Sequence, residues 1–340
     1  MNRPPLLLAG HGTRDPAGVT AFAAFTTRLQ ARFAPQGIDV AGGFIELSAP
    51  PLRDAVTELT GRGHRRVVAV PLVLSAASHA KSDIPAALAR ERARHPGLDW
   101  SYGRPLGPHP VLLDLVAARI AEQAGPIAEQ AGQIAEQAGR MAGQAGRMAE
   151  QAGPMAGQAG RIPGPPGPAL TGTAPPGPPP AVLLVARGST DPDANAEVCK
   201  TARLLWEGRD YAFAETAFVS LASPDVPAGL ERCRLLGASR VIVARYFLFP
   251  GILPDRIAAQ ATAYGQAHPD LDVRCTEVLG DSDELAGLVA ERYHEALAGD
   301  IRMNCDVCAY RTALPGFEYR VGAAQRPHAH PHDDGHVHVH

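Results

Sequence analysis

Leu6-Leu7-Leu8-Ala9-Gly10-His11-Gly12-Thr13-Arg14-Asp15-Pro16 returns later in the chain as Val182-Leu183-Leu184-Val185-Ala186-Arg187-Gly188-Ser189-Thr190-Asp191-Pro192. Both stretches open with a short continuous apolar run, the pattern of a strand buried in a parallel sheet. In both, a glycine, a hydroxyl residue and Asp-Pro follow; His11 of the first is Arg187 in the second. Working outward, Gly43-Phe44-Ile45-Glu46-Leu47-Ser48-Ala49-Pro50 is answered by Ala217-Phe218-Val219-Ser220-Leu221-Ala222-Ser223-Pro224, so Glu46 becomes Ser220. Arg66–Val70 is answered by Arg240–Ala244, and His79 falls opposite Ile252 or Leu253. Leu106-Gly107 with Leu115–Arg119 is answered by Leu279-Gly280 with Leu288–Arg292, so the match runs through the whole unit. One domain is present twice, and only the first copy keeps its ionisable set. That pattern implies one active half and one supporting half.

Within the first copy strands and helices alternate. Ala17–Phe33 has helical spacing, with Val19, Phe22, Phe25 and Leu29 on one face. A strand is expected at Asp39–Ile45, a helix at Pro51–Thr60 that stops at Gly61, and a third, most apolar strand at Val67–Leu74. A helix at Ile84–Arg94, a weak strand at Leu98–Tyr102 and a helix at Val111–Ile120 follow, and residues 181–298 repeat the order. Such alternation predicts an α/β fold: two tandem three-layer α/β/α domains, each with a small parallel sheet, related by internal duplication. The expected division is residues 1–120 for the first domain, 121–180 for a linker, 181–300 for the degenerate copy and 301–340 for a tail.

The linker and tail are different material. Residues 121–162 are six seven-residue units of the type Ala-Glu-Gln-Ala-Gly-x-Ile/Met. A coiled coil needs two large apolar positions per heptad, and each Gly costs about 1 kcal/mol of helix stability relative to Ala. Two readings stay open, a frayed spacer or a helix continuing from Val111. Residues 163–180 are rich in Pro and Gly and suit an extended linker. The tail carries Cys305 and Cys308 in Cys-x-x-Cys, then His328, His330, His332, His336, His338 and His340.

Bulk properties exclude several classes. The 340 residues carry a net charge of −3, which is not the basic balance of a nucleic-acid binder. Five cysteines do not make a disulfide framework, and Cys199, Cys233 and Cys275 read as buried small apolar residues. No apolar run approaches the roughly 20 residues that span a bilayer, and the start lacks the features of a signal peptide. A soluble cytoplasmic protein without a membrane partner is expected. No Walker A sequence appears, so no nucleotide is expected.

His11 directly follows a buried strand, at the edge of an open parallel sheet where ligands bind. The Arg-His-Gly motif of the histidine phosphatases is not met, because Gly10 precedes His11. His79 follows the third strand and Glu46 the second, so all three reach one rim. Two imidazoles and a carboxylate make an open site for a borderline metal such as Co, Ni, Fe or Zn, and an incomplete site suits a protein that hands the metal on. Taken singly, each has a plain structural reading, such as Glu46 pairing with Arg14 or Lys81. Their joint loss from the second copy weighs against those readings, because a structural role would have been needed twice.

His11-Gly12-Thr13-Arg14, Glu46 and the segment His79-Ala80-Lys81-Ser82-Asp83-Ile84 resemble the type II chelatases. The duplication, with Arg187-Gly188-Ser189 in the second copy and a Cys- and His-bearing tail, resembles the long-form sirohydrochlorin cobaltochelatases. The resemblance covers about 1–120 and 181–320. The 121–180 insert and Ser75-Ala76-Ala77 depart from the family pattern. The resemblance implies chelatase-like domains and ATP-independent insertion of Co²⁺, or of Fe²⁺ or Ni²⁺, into sirohydrochlorin for cobalamin or siroheme biosynthesis. It implies catalysis and metal presentation by His11 and His79, with Glu46 completing the site or accepting protons. A substrate bearing eight carboxylates calls for cationic partners, and the candidates are Arg14, Lys81, Arg187, Arg245 and Arg256. It also associates Cys305 and Cys308 with an iron–sulfur cluster. Two cysteines are half of a cluster's ligands, so other metal or redox use, or none, stays open. The six terminal histidines read as a flexible trap for Co²⁺, Ni²⁺ or Zn²⁺. The expected assembly is a monomer with pseudo-dimeric halves, or a dimer joined through the tail. The alternatives to a cobaltochelatase are a ferrochelatase serving siroheme and a non-catalytic metal store or delivery protein.

Overall fold

The computed structural model describes residues 3–77, 79–124, 178–299 and 318–323. The heptad units beyond Ala124, nearly all of the Pro/Gly stretch, Cys305, Cys308 and the six terminal histidines lie outside the described residues. The first half contains β1 (Leu6–Gly10), α1 (Pro16–Phe33), β2 (Val40–Phe44), α2 (Leu52–Gly61) and β3 (Arg66–Pro71). A π-helical turn (His79–Asp83) then runs into α3 (Ile84–Arg94), followed by β4 (Asp99–Tyr102) and α4 (Pro110–Ala124). The second half contains β5 (Ala181–Ala186), α5 (Pro192–Trp206), β6 (Ala214–Phe218), α6 (Val226–Leu235), β7 (Arg240–Arg245), α7 (Ile252–Ala267), β8 (Asp272–Cys275) and α8 (Asp283–Ala298). The sheets run β2-β1-β3-β4 and β6-β5-β7-β8, parallel throughout. This is the expected duplicated α/β fold. Among the described residues no helix is long and apolar enough to cross a membrane.

Alternation along β1 explains why its run is apolar on both sides. Leu7 and Ala9 join Val67 and Ala69 of β3 in one cluster with Val56 and Leu59 of α2 and Ile84 and Leu88 of α3. Leu6 and Leu8, also fully buried, face the opposite layer. Both first helices begin alike: Asp15 accepts a hydrogen bond from Ala17 N and Asp191 one from Asp193 N, each with proline in the first helical turn. The third strand ends at Pro71 rather than Leu74. Pairing with β1 stops at Ala9↔Pro71, and after one more bond, Leu72 N to Ala9 O at 2.8 Å, the chain leaves the sheet.

The halves interlock through their last helices. α8 packs on β3, β4 and α1 of the first half. Its Arg292, fully buried, donates to the carbonyls of Pro105 and Leu106, and its Tyr293 donates to Pro4 O at 2.6 Å. Reciprocally, Arg119 of α4 donates to Leu279 O at 3.2 Å, and Asp114 pairs with Arg209 at 2.7 Å. Arg119 and Arg292 occupy matching positions of the duplicated sequence, so each half contributes the same arginine to the other. Cys233 is buried as expected, Cys275 is half-buried, and Cys199 is exposed, against expectation, beside Thr216 of β6.

Candidate metal-handling cleft

The loop after β1 is tied to the loop after β2. Ile45 N and Glu46 N continue the parallel pairing onto Gly10 O and His11 O at 3.0 and 3.1 Å, which sets Glu46 beside His11. Ser48 Oγ accepts from Thr13 N at 2.9 Å and donates to Thr13 O. Gly12 is required here: its φ is +114°, and a Cβ would sit 1.9 Å from the Glu46 carbonyl oxygen.

His79 is delivered by the π-turn. Single turns of this kind recur at functional sites because they re-aim a side chain. The turn is held from three sides. Asp83, almost fully buried, accepts from His79 Nδ1 at 2.7 Å. Tyr102 of β4 donates to Ala80 O at 2.8 Å. Lys81 Nζ reaches Asp191 and Asp193 of the second half at 2.8 and 2.9 Å. Just upstream, Glu197 of α5 accepts from Ala76 N at 2.8 Å. Burial pulls the Lys81 ammonium down, but the two aspartates more than offset it and its pKa is raised.

The result is a compact donor set. The imidazoles of His11 and His79 meet edge to face with centroids 4.0 Å apart. His11 Nε2 lies 2.9 Å from Glu46 Oε1, and one ligand atom from each of His11, Glu46 and His79 falls within 4.8 Å of the others. Because Asp83 can only accept, Nδ1 of His79 carries the proton and its Nε2 presents a lone pair. His11 has an acceptor facing each nitrogen, Gly12 O 3.1 Å from Nδ1 and Glu46 Oε1 2.9 Å from Nε2, so the tautomer-fixing anchor of the site is the one at His79. Burial pushes His79 down to about 4, with the bond to Asp83 opposing and the charges of His11 and Arg187 assisting, so the ring is neutral at pH 7. A neutral imidazole with its second nitrogen anchored to a carboxylate is the form in which histidine binds metal.

Of the cations expected to meet carboxylates, Arg187 and Arg14 line this cleft. Arg187 NH1 stands 3.4 Å from Nε2 of both histidines. Lys81 is committed to the buried pair with Asp191 and Asp193 and is not presented to the cleft. Arg245 is likewise buried, bonded to Thr276 O and paired with Glu277 at 2.9 Å. Arg256 stands exposed on α7 outside the cleft lining. Glu46 pairs with His11 rather than with Arg14 or Lys81. The sequence reading missed the roles of Asp83, Tyr102, Asp191, Asp193 and Glu197. The His79/Asp83 spacing of four, which brings two side chains together on a helical turn, was the available signal for the first. The others meet the turn only through tertiary contact.

The cleft has a volume of about 520 Å³ and lies between the halves. Leu47, Leu221 and Ile252 line it while being 39%, 59% and 55% exposed, an apolar rim left open to solvent. Phe249 and Leu248 add to the same wall.

The CbiX family profile matches residues 5–123 and 181–296. A protein named sirohydrochlorin cobaltochelatase from Priestia megaterium is 29% identical over 309 residues, covering 91% of this chain and 85% of that protein. A sirohydrochlorin ferrochelatase from the same organism is 25% identical over 252 residues, 74% of this chain and 76% of that protein. The solved structure of SirB from Bacillus subtilis with Fe³⁺ superposes with a TM-score of 0.63, covering 88% of this chain and 97% of that chain at 22% identity, which establishes the shared fold.

Proposed function

We propose that this chain, which belongs to the CbiX family, is a metal chelatase that inserts a divalent metal ion into sirohydrochlorin, with Co²⁺ as the first candidate and Fe²⁺ or Ni²⁺ as alternatives. The observation that carries the reading is the convergence of His11, Glu46 and His79 within 4.8 Å at an apolar cleft. The relative named for cobalt is the more similar and the more fully covered, but 29% identity does not carry metal specificity from one protein to another. The ligand chemistry of Co²⁺, Fe²⁺ and Ni²⁺ overlaps as well, so the metal is left to assay.

Metal insertion breaks two pyrrolic N–H bonds as the ion enters the ring. The macrocycle is flat and apolar on its faces and acidic at its edge. Leu47, Leu221 and Phe249 suit the faces, and Arg14 and Arg187 suit the acidic edge. His79, neutral and anchored through Nδ1, presents Nε2 to the ion. Glu46, hydrogen-bonded distance from His11, is placed to receive a proton and pass it along the rim to water. His11 joins in both tasks. An open set of three donors binds metal weakly enough to release it, as a chelatase must.

The test is anaerobic turnover of sirohydrochlorin with Co²⁺, Fe²⁺ and Ni²⁺ supplied separately, followed by the absorbance change on insertion. Turnover without nucleotide is expected. His79→Ala should lose on the order of 10²–10⁴ in rate, the usual worth of one acid–base group, while the thermal melt stays cooperative. Absence of turnover with all three metals, or full activity of His79→Ala, would sink the reading.

A further inference from the structure

Arg187 replaces His11 in the second half, yet it does not simply vacate the site. Its guanidinium lies 3.4 Å from Nε2 of both histidines. A guanidinium can only donate, so at His79, whose Nδ1 gives its proton to Asp83, it addresses the same Nε2 lone pair that a metal ion would use. Withdrawal from solvent disfavours the arginine's charge and pulls its pKa down, and the nearby Glu46 carboxylate partly opposes that pull. The positive charge of the arginine thus lies against both imidazoles and under the influence of Glu46, where the charge of the ion would lie. Arg187 directly follows β5 and lines the cleft.

We infer that Arg187 is a removable stand-in for the metal, occupying the donor set until a carboxylate of the macrocycle draws it away. The inference rests on the chelatase reading for the identity of that carboxylate, but not for the competition between arginine and metal. A guanidinium and a divalent ion cannot share the Nε2 lone pair of His79, and their charges repel. A carboxylate offers the guanidinium two parallel hydrogen bonds in place of two long contacts to imidazole nitrogens. Arrival of the acidic edge of the macrocycle therefore uncovers the metal site beneath it. Metal-free ring binds first and metal second, so the site is closed to stray divalent ions when there is no ring to receive them. By linkage, whatever the macrocycle does for metal affinity, metal does equally for macrocycle affinity.

The experiment is calorimetric titration of Co²⁺ alone into the full-length chain, anaerobically, with each protein paired to its own His79→Ala version. The difference between the pair isolates binding in the cleft, because the tail histidines are common to both. Wild type should show a weak cleft component. Arg187→Gln should tighten it about tenfold or more, the size of one relieved charge repulsion, and Arg187→Lys, which keeps the charge without the planar fork, should fall between. In turnover, Arg187→Gln should also raise the macrocycle KM, a pairing of tighter metal and weaker ring that general damage to the fold does not produce. Unchanged or weaker Co²⁺ binding by Arg187→Gln overturns the inference. Tighter Co²⁺ binding in a protein that fails to turn over sirohydrochlorin leaves the stand-in intact and removes only the chelatase reading.

Discussion

The two halves share a backbone and differ in what they place upon it. Gly12 and Gly188 both take positive φ, and a Cβ on either would sit 1.9 Å from a carbonyl oxygen, of Glu46 and of Ser220 respectively. Leu47 and Leu221 both stand in the left-handed region, at φ 64° and 62°, and project at the cleft. From the third strand onward the halves part. The first half winds a π-turn from His79 to Asp83 before α3, whereas the second starts α7 directly at Ile252. The first helices differ as well. Asp15 and Asp191 are equivalent caps, but Ala17 and Ala21 stand where the second half has Asp193 and Glu197. Those added acids grip Lys81 and Ala76 of the partner half. The copy without the histidines is therefore not inert. Where the first half has His11 and Glu46 it has Arg187 and Ser220, and it supplies a brace on the turn that carries His79.

The severest way to break the comparison is to separate the halves. If each were self-sufficient, residues 1–124 would fold alone. They lack α8, whose buried Leu285, Val289 and Tyr293 help close the first half. At roughly 1.5–3 kcal/mol for each large apolar side chain fully buried, plus the bonds of Arg292 and Tyr293, the loss rivals the 5–15 kcal/mol that holds a typical domain. Fragment 1–124 is expected to be aggregated or without a cooperative melt, and co-expression with 178–340 to restore a soluble complex on gel filtration. A cooperative melt of the fragment alone would mean that the interlock is ornamental.

The brace gives a smaller, sharper effect. Lys81 and its two aspartates are each at most 5% exposed. Lys81→Met leaves two carboxylates buried without their cation, which costs about 3–5 kcal/mol and should appear as a lowered midpoint in denaturant. Adding Asp191→Asn and Asp193→Asn to Lys81→Met should return part of that stability, because the stranded charges are removed. A single variant as stable as wild type would show that water already serves those groups.

How much of this was legible beforehand follows from what each feature depends on. The duplication, the parallel sheets and the convergence of His11, Glu46 and His79 are local consequences of strands ending at one rim, and the pattern of apolar runs carries them. Four features depend on distance in the fold instead. Lys81 reads as a cleft cation for substrate carboxylates until Asp191 and Asp193 of the second half are seen to hold it. Arg245 sits at a strand end like any rim residue, yet Thr276 and Glu277 claim it. Cys199 reads as a small buried residue of its helix, yet it stands exposed beside Thr216. The exchange of α4 and α8 is invisible because both helices have the same apolar stripe whichever half they cover. Partner identity is a tertiary fact, and one sequence without its fold does not encode it in any spacing.

Asp83 is the residue on which the comparison turns most finely, because the second half has no counterpart to its turn. It fixes the tautomer of His79 by accepting from Nδ1 at 2.7 Å. Asp83→Asn keeps the size of the side chain, but its amide can present either a carbonyl oxygen or an NH₂ to the ring. With the oxygen presented, the tautomer survives without the negative charge that raises the basicity of Nε2. With the NH₂ presented, Nδ1 becomes the acceptor, Nε2 takes the proton, and the lone pair meant for the metal is gone. Either outcome weakens metal handling, and outer partners of this kind are worth about 10–100-fold in affinity or activity. The rate of metal insertion should fall by that factor, with a smaller change in macrocycle KM, since Asp83 does not line the cleft. Asp83→Glu, which restores the charge at a longer reach, should recover part of the loss. If Asp83→Asn instead lowered stability while sparing the rate, the carboxylate would be a strut for the π-turn, and the orientation of His79 would have to come from Tyr102 and Lys81 alone.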